Sequence, residues 1–269
     1  MKRTVLLTTL LLLLVVATLA AHDLFLKPTR FFVMPNSEVV LRVLNGSFTS
    51  SENAVSRDRV VDISVISAGG REHLDTTAWT ARGDTSLLTL RTRGEGSYVV
   101  GASTRPRVLR LEAKAFNAYL AEDGLPDVLT DRRRRGESNR AARERYSKHV
   151  KTLLQVGEAR SEGVSAVLGY PAELVPLDNP YALRVGDTMR VRALVDGVPV
   201  PNQVVLMGGK ASSRGTVRER LVRTDADGVA RLALSAPGEW YVKFIRMVRV
   251  AEDSVDYESK WATLTFAMR

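Results

Sequence analysis

The stretch from residue 186 to 247 alternates apolar and polar side chains in runs too short for helices. Met189, Val191, Ala193 and Val195 fall on one side, with Arg190 and Arg192 between them. A period of two belongs to a strand with one buried face. Each run ends in turn chemistry: Asp196-Gly197, Gly208-Gly209, Asp225-Ala226-Asp227-Gly228 and Pro237-Gly238. Glycine enters backbone regions closed to other residues, and aspartate bonds back to its own chain. The spacing predicts an antiparallel β-sandwich over 161–269, ending in a strand at 260–266.

The same punctuation recurs earlier. Runs at 31–33, 39–44, 60–66, 87–90 and 98–102 are separated by Pro35-Asn36, Asn45-Gly46, Gly69-Gly70, Arg82-Gly83-Asp84 and Gly94-Glu95-Gly96. Val61, Ile63 and Val65 alternate with Asp62 and Ser64. A second sandwich is therefore expected over 22–105. Between the two the pattern changes to apolar spacings of three and four at 109–120 and 140–156. In the second of these Tyr146, Val150, Leu153 and Leu154 make an apolar stripe, with Arg143, Glu144, Lys148 and Lys151 outside it. Gly157 follows as a stop. The expected fold is mainly β: two antiparallel β-sandwich domains with a helical insertion at 106–160. Asp131-Arg132-Arg133-Arg134-Arg135-Gly136 is expected as a solvated loop before the second helix, or as an electrostatic docking site.

The first 21 residues stand apart. Lys2 and Arg3 precede an apolar run to Ala20, a pattern of a secretory signal with cleavage after Ala20 or Ala21. The run is short for a spanning helix, so membrane contact is expected only if the segment stays uncleaved. A periplasmic or extracellular location follows. The chain has no cysteine, which excludes thiolate metal sites, thiol catalysis and a lipid anchor on cysteine. The net charge of +9 falls to +7 when Lys2 and Arg3 are removed (9 − 2). An exported basic protein meets envelope polymers or lipid headgroups rather than nucleic acid.

Three histidines are the candidate ligands for a metal. Processing after Ala21 would make His22 the first residue, offering an amine and a ring nitrogen to nickel, cobalt or copper. Asp23 adds an oxygen, and His149 on the apolar stripe is the expected partner ring. Each has a structural alternative: a first-strand histidine bonded to backbone, and a packed helix-face histidine. His73 reads as a turn residue. Asp225-Ala226-Asp227-Gly228 opens like a calcium loop, but the twelfth position is Ala236 where glutamate is needed, so a hairpin turn is expected. Asp253, Asp256 and Glu258 are candidate oxygen ligands or solvated loop acids. With no nucleophile elbow and no phosphate loop, no catalytic residue is assigned and the protein is not expected to be an enzyme.

Several phrases carry a family resemblance. AHDLFLKP, RERYSKHVKTLLQVG, LGYPAELVPLDNPYALRVGD, DGVPVPNQVV, TDADG, PGEWYVKFIRMV and DYESKWATLTF, in this order, resemble the domain-of-unknown-function 4198 family, with a transthyretin-like module at the C-terminal end. The resemblance implies an exported two-sandwich protein, some relatives being labelled as periplasmic parts of nickel or cobalt uptake systems. Where such relatives carry a histidine before the methionine of the Ile-x-Met phrase, this chain has Arg246, a cation where a ligand would stand. Two functions are expected. One is a binding protein that captures a divalent metal and delivers it to a membrane transporter. The other is a non-catalytic envelope scaffold or adhesion module that binds glycan or protein.

Overall fold

A computed structural model describes residues 22–269 except residue 214. The expected signal segment at 1–21 lies outside the described residues. Along the chain the N-terminal part gives β1 (Asp23–Pro28), β2 (Phe32–Val33), β3 (Glu38–Gly46), β4 (Val60–Ser67) and β5 (Gly70–His73). Next come β6 (Trp79–Arg82), β7 (Thr85–Arg91), β8 (Gly96–Thr104) and β9 (Arg107–Leu111). Two helices, α1 (Ala113–Glu122) and α2 (Pro126–Arg134), precede β10 (Ala142–Val156). The C-terminal part contains β11 (Ala172–Pro176), β12 (Thr188–Val195), β13 (Val198–Pro199) and β14 (Val204–Ala211). It ends with β15 (Thr216–Arg223), β16 (Val229–Ala233), β17 (Gly238–Arg249) and β18 (Tyr257–Met268).

These strands form three layers. A central ten-stranded sheet runs β15-β14-β17-β18-β10-β8-β4-β5, with β9 and β2 also pairing β10. One face is covered by the sheet β1-β3-β7-β6 together with the two helices. The other is covered by the sheet in which β12 pairs β11, β13 and β16. Two apolar cores result. Leu24, Leu26, Val39, Leu41 and Leu88 meet Ile63, Val100, Val150 and Leu154 on the first face. Leu174, Met189, Val191 and Leu232 meet Leu153, Trp240, Val242, Leu264 and Phe266 on the second. Phe116, Tyr119 and Leu120 of α1 close the first face over Ile245, Met247, Tyr257 and Trp261.

The mainly β class agrees with the period-two reading, and each run expected in the N-terminal part falls on a strand. Residues 140–156 do not. This segment, expected as the strongest helix, is the 15-residue strand β10, parallel to β18 and antiparallel to β8 and β9. Its apolar residues fit a helical spacing by accident of composition. The intervening Ser147, Lys148, His149, Lys151, Thr152 and Gln155 are buried as well. A strand covered on both faces loses its alternation, so its period cannot be read. The helical expectation for 109–120 is half met: the helix begins at Ala113, and the residues before it belong to β9.

The segment expected as an insertion thus supplies the middle strand of the central sheet. Along the main path of the sheet β8, β4 and β5 lie on one side of β10 and β18, β17, β14 and β15 on the other, the side on which β2 pairs its last residues. The arginine run is corrected too. Arg132, Arg133 and Arg134 form the last turn of α2, a favourable place for cations against the helix dipole. Arg132 itself is buried over the Phe116 ring and bonds Asn117, Glu137 and Arg140. No helix among the described residues is long and apolar enough to cross a membrane.

Candidate functional site

Alternation along β10 decides what its side chains meet, since neighbouring residues of a strand point to opposite faces. Glu144, Tyr146 and Lys148 face the first layer, and Ser147, His149 and Lys151 face the second. Above the first set, the start of β1 and the segment before β4 leave a cavity of about 240 Å³. It is lined by His22, Asn45, Ser56, Arg59, Arg107, Glu144, Tyr146, Lys148 and Trp261, among others.

The walls are charged, with Glu144 and Lys148 buried at the base and Arg107 exposed at the rim. Lys148 is 7 % exposed. Its ammonium donates to the His22 carbonyl and, at 3.5 Å, to Asn45 Oδ1. It also lies 5.0 Å from the Trp261 ring centre and 5.5 Å from that of Tyr146. Burial pushes this lysine down to about 8, against the opposing attraction of Asp23. Glu144 is 1 % exposed. One carboxylate oxygen accepts from Tyr119 at 3.0 Å and from Ser259; the other, Oε2, has no hydrogen-bond partner. Burial raises its pKa, and the hydroxyl donors act the other way. Arg59 donates through its terminal nitrogens to Tyr146 at 3.4 Å and to the Arg105 carbonyl at 2.9 Å, while its buried Nε has no partner. Burial lowers its pKa. Buried polar atoms without partners are rare in folded proteins and call for an explanation.

The residues expected to bind a metal are not brought together. His22 stands at the cleft, its Nε2 3.2 Å from Glu52 Oε2. Asp23 turns away from His22 to the buried Lys243, 2.6 Å distant, which also pairs with Asp123 and Glu219. His149 lies on the far face of β10. Its two ring nitrogens are engaged by hydroxyls, Nδ1 with Ser103 at 2.9 Å and Nε2 with Ser147 at 3.0 Å. Burial holds it down to about 3, so it is a neutral, packed ring. A period of two sends Lys148 to His22 and therefore sends His149 away from it.

The other candidates sort as simply. His73 bonds Asp62 at 2.7 Å on an exposed hairpin. Asp225 accepts from the backbone of Asp227 and Val229 while Gly228 takes a φ of 71°, a tight turn; it joins β15 of the central sheet to β16 of the outer one, so the expected hairpin is corrected to a crossing between sheets. Asp256 and Glu258 pair with Arg143 and Arg145. Arg246 is exposed on β17 in register with Lys260. Among the described residues no group of three or more acidic or histidine side chains is arranged to hold a metal.

The residues missed in the sequence are Arg59, Arg107, Glu144, Tyr146, Lys148 and Trp261. Their signal was present as the alternation Glu144, Tyr146, Lys148, visible only when 142–156 is read as a strand.

No curated protein matches the chain in sequence. Among solved structures, a tetra-tandem repeat from the extending region of a large adhesion protein is 14% identical, with a TM-score of 0.23, over 91% of this chain and 49% of that one. Trypsin-activated alpha-2-macroglobulin from Escherichia coli is 11% identical, with a TM-score of 0.22, over 92% of this chain and 16% of that one. The chain thus spans less than half the length of either, and scores this low carry no argument. The family model described as Domain of unknown function (DUF4198) matches residues 19–247 of the 269, and the chain belongs to that family.

Proposed function

We propose that the protein is an exported, non-catalytic binding protein that captures a small anionic ligand in the cleft beside His22. The observation that carries this reading is the convergence of Lys148, Arg59 and Arg107 on one small cavity, with a single carboxylate, Glu144, among them. Burying an ammonium that has only one carbonyl and one distant amide oxygen as acceptors costs stability, and such costs cluster at sites with a task. Guanidinium groups match carboxylate geometry, and Trp261 and Tyr146 supply the apolar surface that small-molecule sites use.

A bare divalent metal fits this cleft poorly. It would find one imidazole, His22, already paired with Glu52, and the carboxylate of Glu144 in the wall, with three cations nearby. Nickel, cobalt or copper is carried here only as a complex whose other ligands bring negative charge, His22 contributing one nitrogen. Delivery to a membrane transporter belongs to the same reading.

Calorimetric titration of the purified protein with nickel chloride, with small carboxylates, and with nickel in their presence tests it. Carboxylates are expected to bind alone, and Lys148→Met and Arg59→Gln each to weaken them about tenfold or more. Binding of nickel alone with no response to any carboxylate would reverse the assignment. No binding of any of them would leave the envelope scaffold.

A further inference from the structure

Cations alone do not account for the cleft. Glu144 sits on the same strand face as Lys148, buried to 1 % exposure, with Oε2 lacking any partner. On the cleft's other side the Arg59 Nε lacks an acceptor. One wall therefore offers an unused acceptor and the other an unused donor. A simple dicarboxylate satisfies only the second.

We propose, resting on the anion-binding reading above, that the ligand is an amino-carboxylate with excess negative charge, of the acidic amino acid class. Its carboxylates face Arg59, Arg107 and Lys148. Its ammonium faces Glu144 Oε2, over the aromatic faces of Trp261 and Tyr146. The charge balance agrees: three cations and one anion line the cleft, which complements two carboxylates and one ammonium with one cation to spare. A charged amine brought against Glu144 favours the ionised carboxylate. Burial raises the pKa of that carboxyl, and an ammonium beside Oε2 acts the other way, so binding of an amine shifts Glu144 towards proton release. The cavity, at about 240 Å³, suits a ligand of amino-acid size rather than a longer peptide.

The probes are L-glutamate and glutarate, which differ by the amino group alone. Titration of the purified protein is expected to show glutamate binding about tenfold tighter or better, because an ionic hydrogen bond to a buried partner is worth at least that. Glu144→Gln is expected to erase the difference by weakening glutamate while glutarate binds as well or better, one negative charge having left the wall, and Arg59→Gln weakens both alike. Repeating the wild-type titration in two buffers of different ionisation heat is expected to show more proton release with glutamate than with glutarate, whose carboxylate against Lys148 only draws protons in. That comparison needs no variant, so it stands even where Glu144→Gln fails to fold. Equal affinity for the two ligands in the wild type, with equal proton exchange, overturns the assignment of Glu144 and leaves the anion site standing. Failure of both to bind overturns the anion site, and the assignment with it.

Discussion

Replacing Lys148 by methionine should make the protein more stable. Most buried substitutions do the opposite, so the sign itself is informative. Burial lowers this lysine from 10.5 to about 8, a difference of 2.5 that corresponds to about 3 kcal/mol against the charged form in the folded state. The hydrogen bond to the His22 carbonyl is lost with the ammonium, which takes back about 1 kcal/mol. Methionine keeps the unbranched stem against Trp261 and Tyr146, so little packing is lost. A net gain of about 2 kcal/mol at pH 7 remains.

The pH dependence follows from the sign of the shift. The folded pKa is below the unfolded one, so between about 8 and 10.5 the unfolded chain holds the proton and the native protein does not. Stability contributed by this group therefore rises with pH across that window. The advantage of Lys148→Met is largest below pH 8 and disappears by about pH 10.5. Urea denaturation of both proteins at pH 7, 9 and 10.5 measures it, the difference between them cancelling the other lysines. A variant less stable than wild type at pH 7, or a difference that does not change with pH, would refute the account of Lys148 as a charge held at a cost. If the cost serves ligand capture, the same variant that folds better will bind carboxylates worse.

Further expectations concern the opposite face and the cores. Lys151 and Glu173 form an ion pair with both side chains almost fully buried, and Glu173 also accepts from the backbone of Leu168, Gly169 and Tyr170. Lys151→Met alone should cost about 3–5 kcal/mol in urea denaturation, whereas Lys151→Met with Glu173→Leu should recover part of it, the three backbone donors staying unpaired. His149 is held near 3, below its usual 6.5, so its contribution to stability is complete above pH 6.5 and is lost as pH falls towards 3. Its imidazole carbon resonance should accordingly stay in the neutral position from pH 8 to pH 5, and His149→Asn should flatten the acid side of the stability profile. Trp240, fully buried in the core of the second face and donating to the Ala236 carbonyl at 3.2 Å, should cost about 3–5 kcal/mol as Trp240→Ala, read as a lowered denaturation midpoint.

What the amino-acid sequence determined by itself is the β character of the chain. Met189, Val191 and Ala193 turn to a core while Arg190 stays in water, and a period of two records that difference; Ile63 and Val65 are buried too, but Val61, 49 % exposed, leaves the pattern where the register shifts between Val60 and Asp62. Turn residues record backbone geometry locally, which is why Asp225 to Gly228 was legible as a tight turn, while the crossing from one sheet to another that it makes was not. Only the tertiary structure decided the role of residues 142–156. Both faces of β10 are covered by layers drawn from distant parts of the chain, so polarity no longer distinguishes one side from the other. Lys148 and His149 are adjacent in sequence and look alike as buried basic residues. The pleat sends one to the cleft beside His22 and the other between Ser103 and Ser147, and that single alternation separates the expected metal pair and assembles the cationic site.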